Sequence, residues 1–337
     1  MDLTKIADIQ EPAIWTQYTK DYIPKKFTFI DSSCVGTPPP VVMSQMTAGG
    51  TIIDMPFWQE SSHSEPKLRS DDETAVIETK KITASTSKAC KMFWAEAWSQ
   101  ADLAGVFATG SAKDPLAQIA DYIMNYWRNA SQECVIAALN GVLADNVAND
   151  SSDMLYSVYS DTASPAASNK MSYAAMNATR ATLGDFMDDV TTIIVHPKVY
   201  TDMLNQEEIT FVQPSNLPFK IPMFGGMEVI HNAACTTVAG SDATKYRSYL
   251  MGAGAIGFNM HMPDMAQEVD REPGQGNGGG VTKLYTRRDA LVHPAGFSWN
   301  EASVAGRSPN FTELATAANW NRTTDRKNVK IAYLETN

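Results

Sequence analysis

A run of helical periodicity in the middle of the chain constrains the fold more than any other feature. It begins at about Asp114, a good N-cap residue, and Pro115 suits the first helical position because its missing N–H needs no partner there. Apolar or small residues then recur at helical spacing as far as about Asn146: Leu116, Ile119, Ile123, Trp127, Ala130, Cys134, Ala137 and Gly141. With a rise of about 1.5 Å per residue, the helix would be on the order of 50 Å long and would span a whole subunit.

Before this helix, the sequence predicts a long hairpin with a charged tip. Residues 51–55 and 74–83 have strand-like composition, and a polar segment separates them. Its charged and titratable residues are Glu60, His63, Glu65, Lys67, Arg69, Asp71 and Asp72. An isolated two-stranded hairpin is only marginally stable in water, so we expect this one to lie on a neighbouring subunit. Mixed charges there would set specificity and register, although an ordinary solvated loop is the alternative interpretation.

The segments on either side of the hairpin and the helix are less regular. Residues 1 to about 47 are predicted to form an extended arm, because the prolines at 38–40 exclude a central strand. The aromatic-rich segment 91–103 is predicted to be helical. From Tyr173 onward, short strands and helices alternate irregularly, and residues 263–280 form a loop rich in glycine and acidic residues. This irregular mixture favours the α+β class.

Composition excludes several classes of protein. The chain has 337 residues, 44 % of them apolar, which is typical of a globular protein of more than one subdomain. Its 27 basic and 38 acidic residues give a net charge of −11, which argues against a dedicated nucleic-acid binder. No secretory signal and no apolar run of about 18 residues is visible, so no membrane association is expected. The four cysteines show no CxxC pairing and are predicted to be buried free thiols.

Motifs for catalysis or cofactor binding are weak. Residues 252–257 match GxGxxG, but no helix-forming sequence follows, so the glycines more simply permit close packing in a sheet. The five histidines have no metal-ligand spacing, and no GxSxG motif occurs. We therefore expect no cofactor, no metal and no enzymatic activity. A soluble α+β enzyme that uses His196 or His293 is the alternative.

The order of these features resembles that of a tailed-phage major capsid protein with the Hong Kong 97-type fold. Such proteins have an extended N-terminal arm, a long hairpin called the E-loop, a long spine helix and an α+β remainder. The C-terminal part is more similar still: residues 288–299 contain His-Pro-Ala-Gly-Phe-Ser-Trp, which resembles the HPxGFSW strand of small-tailed-phage coat proteins. Residues 313–320 and 327–331 resemble their closing segment. The resemblance covers nearly the whole chain.

The resemblance implies a domain organisation. It predicts an N-terminal arm (1–48), an E-loop hairpin (49–90), a P-domain with the spine helix (91–170), an A-domain (171–285) and return strands to the P-domain (286–337). The A-domain would form the centres of the capsomers, using the Gly-rich turn and in particular Pro273, Gly274, Gly276 and Asn277. The E-loop and the arm would lie over neighbouring subunits.

The resemblance also implies a function. The chain would be a structural protein that assembles with itself into hexamers and pentamers of an icosahedral head enclosing double-stranded DNA. It would be made in the cytoplasm of a bacterial host and end in the virion capsid. A separate scaffolding protein and a portal protein at one vertex are expected partners. An encapsulin-like shell around enzyme cargo is the alternative within the same fold.

Overall fold

A long helix lies between two β-sheets in the computed structural model, which describes residues 26–38, 40–59, 65–69, 71, 74, 76–107, 115–213 and 220–337. The helices are α1 Pro40–Met46, α2 Asp102–Phe107, α3 Pro115–Asn149, α4 Tyr173–Ala181, α5 Pro197–Asn205 and α6 Phe311–Leu314. The mixture of helices and sheets agrees with the predicted α+β class. None of the described helices is long and apolar enough to cross a membrane.

The predicted spine helix is confirmed as α3, which has 35 residues. Pro115 is its first residue, whereas Asp114 lies outside the described residues. The periodic positions Ile123, Trp127 and Cys134 are 5 % exposed or less, so the predicted apolar side does face the core. The local sequence pattern therefore predicts both the existence and the buried side of this helix.

The strands, in chain order, are β1 Val35–Gly36, β2 Ile52–Gln59, β3 Thr83–Ala101, β4 Leu155–Ser157, β5 Thr192–Val195, β6 Thr210–Val212, β7 Ile221–Phe224, β8 Met227–His231, β9 Thr237–Ala239, β10 Thr244–Met251, β11 Ile256–His261, β12 Gln267–Glu272, β13 Val281–Pro294, β14 Phe297–Trp299, β15 Trp320–Arg322 and β16 Ile331–Thr336. They form one six-stranded sheet, one eight-stranded sheet and the small pair β14–β15.

The six-stranded sheet has the order β1-β11-β13-β3-β2, with β12 also paired to β13. Its longest strand, β3, has 19 residues and holds the sheet together. Antiparallel pairing with β2 runs from Gln59 opposite Thr83 to Ile52 opposite Cys90. Pairing with β13 then continues from Cys90 to Ala101. The E-loop and the β12–β13 hairpin are therefore attached to opposite ends of one strand.

The predicted helix over residues 91–103 is wrong, because most of this segment belongs to β3. In a strand, successive side chains point to opposite faces, and here Met92 is buried whereas Phe93 is exposed. Trp94 stacks on Trp127 of α3 with ring centroids 6.2 Å apart, which seats the strand on the helix. Pairing with β13 satisfies the backbone of this segment and overrides its local helical pattern. The second strand of the hairpin is predicted at residues 74–83, whereas β3 begins at Thr83.

The eight-stranded sheet has the order β4-β16-β10-β5-β8-β7-β6, with β9 paired to β10. The last strand of the chain, β16, lies inside this sheet and is buried along its whole length. The hydroxyl of Tyr333 on β16 donates a hydrogen bond of 2.8 Å to the carbonyl oxygen of Leu139, which ties the sheet to α3. The domain boundaries given above remain a prediction.

Two smaller predictions concern glycines and cysteines. The GxGxxG segment is a turn that leads into β11, and a methyl group at Gly252 would collide with the carbonyl oxygen of Asp189. The glycine there allows close packing and opens no helix. All four cysteines are buried free thiols, as predicted.

Candidate assembly surfaces

The E-loop presents large apolar side chains to solvent. Those with the largest exposed fractions are Trp58, Leu68, Val76, Ile77 and Ile82, each at least 66 % exposed. Scattered exposed apolar residues are ordinary, but several on one projecting hairpin indicate an interaction surface. The residues predicted to make contacts are the charged ones of this hairpin and not these apolar residues, although Trp58 and the pair Val76-Ile77 are visible in the sequence.

The predicted charged residues of the E-loop are only partly within the described chain. Glu65, Lys67, Arg69 and Asp71 are described and exposed, whereas Glu60, His63 and Asp72 lie outside the described residues. The Lys67 ammonium pairs with the Glu78 carboxylate at 3.2 Å, across the hairpin. Because both side chains are more than half exposed, this pair contributes little stability and serves mainly to align the two arms of the hairpin.

The predicted Gly-rich turn joins β12 and β13. Residues 263–280 are not one loop, since Gln267–Glu272 pairs with β13 as an exposed outer strand. Asn277 and Gly276 have positive φ values of 56° and 67°, which glycine and asparagine adopt most readily. Pro273, Gly274, Gly276 and Asn277 are therefore brought together in a tight turn on the six-stranded sheet, at the end of β3 farthest from the E-loop.

Asp102, which the sequence analysis did not select, fixes the base of this turn. Its carboxylate accepts hydrogen bonds from the Thr282 hydroxyl at 2.6 Å and from the Arg271 guanidinium at 2.7 Å. These two donors, the hydroxyl first, lower the pKa of the Asp102 carboxyl. The Asp102 backbone N–H also donates to the Gly280 carbonyl oxygen at 3.0 Å. No local sequence signal points to this role, because the donors are about 170 residues or more away along the chain.

The HPxGFSW segment connects the E-loop to the closing segment of the chain. Gly296 has a φ of 89° and turns the chain from β13 into β14, where Phe297 and Trp299 are fully buried. The Ser298 hydroxyl accepts a hydrogen bond of 3.0 Å from the backbone N–H of Lys88 on β3. The resemblance in this segment therefore rests on residues that brace the base of the E-loop.

The two histidines considered for catalysis have structural contacts. His196 caps α5, since its Nδ1 accepts a hydrogen bond of 3.2 Å from the Lys198 backbone N–H. Its ring also packs on Tyr246 with centroids 4.9 Å apart. His293 lies at the end of β13, where burial lowers its pKa to about 4. Among the described residues, no cluster of three or more His, Cys, Asp or Glu side chains could hold a metal ion.

No family model matches this chain. It is 29 % identical to the major capsid protein of Bacillus phage SPP1 over 99 % of its own length and 98 % of that protein.

Solved structures with similar folds include chains of phage capsids. A chain of the cyanophage Pam1 capsid asymmetric unit has a TM-score of 0.60 and 10 % identity, covering 97 % of this chain and 96 % of that one. A chain of the Ralstonia phage GP4 capsid has a TM-score of 0.58 and 11 % identity, covering 98 % and 96 %. The predicted α+β fold of the Hong Kong 97 type is confirmed, as is the resemblance to tailed-phage major capsid proteins.

Proposed function

We propose that this chain is the major structural protein of a tailed-phage head and assembles with itself into hexamers and pentamers of an icosahedral shell that encloses double-stranded DNA. The predicted role as a structural capsid protein is confirmed by the comparisons at the level of a phage capsid component. The single observation that carries the proposal is the full-length similarity to a phage major capsid protein, together with the capsid fold over the same length.

Two surfaces support assembly. The exposed apolar side chains of the E-loop would be covered by a neighbouring copy, which provides the hydrophobic contribution to each contact. The Gly-rich turn at the other end of β3, held by Asp102, would contact a second neighbour. Each contact can be modest in free energy, because a closed symmetric shell adds many of them.

Further partners are part of the proposal. We infer a separate scaffolding protein, a portal protein at one vertex and packaged DNA held without sequence-specific contacts. The net charge of −11 supports enclosure of DNA over tight binding to it. Synthesis in the host cytoplasm and incorporation into the virion follow from the same proposal.

Negative-stain electron microscopy of the purified chain, alone and co-expressed with a candidate scaffolding protein, tests this function. Closed shells of uniform size are expected in at least one of the two conditions. Small discrete oligomers under both conditions would contradict the proposal. Shells that carry enzyme cargo in place of DNA when purified from infected cells would support the encapsulin-like alternative.

A further inference from the structure

An apolar groove of about 950 Å³ runs beside the spine helix. One wall is α3, with Ile136 and Ala137; a second is the α6 region, with Phe311 and Ala315; the floor is the segment after β8, with Ala234. The volume is near the upper end of that of ligand pockets, so the groove is large enough for several bulky side chains. None of the assembly surfaces described above uses it.

The first described residue of the chain, Lys26, lies in the wall of this groove. Its Nζ lies 3.4 Å from Nε2 of His231, and its carbonyl oxygen accepts a hydrogen bond of 3.1 Å from the Asn232 amide. Both partners also line the groove. The residue to which residues 1–25 are joined therefore lies at the groove itself.

The residues that follow Lys26 are held just as firmly by α3. The Arg128 guanidinium lies over the ring of Phe27, 4.5 Å from its centroid, and pairs with the Asp31 carboxylate at 2.7 Å. The Asn232 amide also donates to the Thr28 hydroxyl at 3.2 Å. Contacts to both α3 and the segment after β8 therefore hold this attachment point beside the groove.

We propose that in the unassembled subunit, before the arm lies over neighbouring subunits as the resemblance implies, the groove is the binding site for the N-terminal arm of the same chain, through Ile14, Trp15 and Tyr18. These bulky residues lie within twelve positions of Lys26, and an extended chain covers at most about 3.6 Å per residue, so Tyr18 alone has a reach of roughly 29 Å. A buried Trp or Tyr removes on the order of 150–250 Å² from water, which gives these side chains a reason to leave solvent for an apolar groove. The wall residues Ile136, Ala234 and Phe311 match that chemistry.

Disulfide trapping in the unassembled full-length chain tests the proposal independently of shell formation. The chain carries Gln17→Cys together with Thr312→Cys, an exposed position in the groove wall. The control chain pairs Gln17→Cys with Asp188→Cys, whose side chain is 92 % exposed and lies outside the groove. Intrachain disulfides are identified by peptide mass spectrometry, and links between chains by non-reducing gel electrophoresis. The four native thiols are buried and serve as the common background.

The expected result is an intrachain link between positions 17 and 312 that forms much faster than the control link and is slowed when Trp15→Asp is added. Equal rates in the two chains would overturn the proposal. A link mainly between chains would also overturn it, because the occupant would then be the arm of a second copy. If Thr312→Cys disturbs folding, Ala315→Cys offers a second groove position for the same comparison.

Discussion

Gly141 on the spine helix lies directly against the indole of Trp320, and a methyl group there would lie 2.6 Å from Cδ1 of that ring. The indole Nε1–H donates a hydrogen bond of 2.7 Å to the Leu314 carbonyl oxygen. A methyl group at Gly141 would also collide with that carbonyl oxygen. The absence of a side chain at Gly141 therefore allows the closing segment to pack directly against the helix.

Gly141→Ala should lower the free energy of unfolding. Alanine gains about 1 kcal/mol in helix propensity, but overpacking costs about 1–3 kcal/mol and a weakened indole hydrogen bond about 1 kcal/mol more. We expect a net loss of about 1–3 kcal/mol in urea unfolding. Gly49→Ala, at a site with nothing within 4 Å, is the matched control and should be close to neutral. A stabilised Gly141→Ala chain would show that the closing segment does not pack as described.

Removing the apolar character of the E-loop should block assembly without unfolding the subunit. Trp58 is 74 % exposed and Ile82 is 66 % exposed in the single chain, so Trp58→Ser with Ile82→Ser should change subunit stability by only about 0.5 kcal/mol each. Shell yield by light scattering should fall strongly, since these side chains would be buried only between subunits. Thr83→Ser on the same hairpin is the control. Normal shells from the double variant would remove these residues from the interface.

Loss of Asp102 should loosen the Gly-rich turn. Asp102→Ala removes the acceptor shared by Thr282 and Arg271, so backbone amides between Gly274 and Gly280 should exchange faster with deuterium. Asp264→Ala, an exposed residue near β12, is the control. If the turn is an assembly contact, shell yield should fall with the Asp102 variant only. Unchanged exchange in the turn would show that Asp102 does not hold it.

His293 should make the subunit less stable in mild acid. Its folded pKa of about 4 is below the ordinary value of 6.5, so in that window the unfolded chain binds a proton that the folded chain does not. The contribution of neutral His293 to the free energy of unfolding is fully present above about pH 6.5 and is lost as the pH falls toward 4. Between pH 7 and pH 5 the loss should be at most about 2 kcal/mol.

The measurement is urea unfolding of the parent chain and of His293→Gln at both pH values. Burial also lowers the pKa of His196 and His231, so only the difference between the two chains isolates His293. The variant should lose less stability on acidification than the parent. An identical pH dependence would show that His293 is accessible enough to titrate normally.

The net charge of −11 predicts a salt dependence of assembly. At about 0.01 M salt the screening length is roughly 30 Å and like-charged subunits repel one another, whereas at about 0.1 M it is roughly 10 Å. Light scattering should therefore report weak assembly at the lowest salt and recovery as salt is added. Assembly that is strongest at the lowest salt would show that specific charge pairs between subunits dominate.

Some parts of this protein were determined by the sequence alone. The spine helix follows from Pro115 and from apolar residues that repeat at helical spacing, because both act within one or two turns of chain. Helix α5 likewise follows from His196 as its cap and Pro197 as its first residue. These signals are local, so neighbouring residues suffice to specify the element.

Other parts were decided only by the tertiary structure. Residues 91–101 form a strand because β13, almost 200 residues away along the chain, pairs with them over their whole length. The glycine and acidic content of residues 263–280 predicts a loop, and only the pairing of Gln267–Glu272 with β13 defines β12 as a strand. The hydrogen bond between Asp102 and Arg271 and the packing of Gly141 against Trp320 likewise join distant segments. Local patterns determine what a segment can do alone, whereas hydrogen bonding and packing between distant segments decide which alternative it adopts.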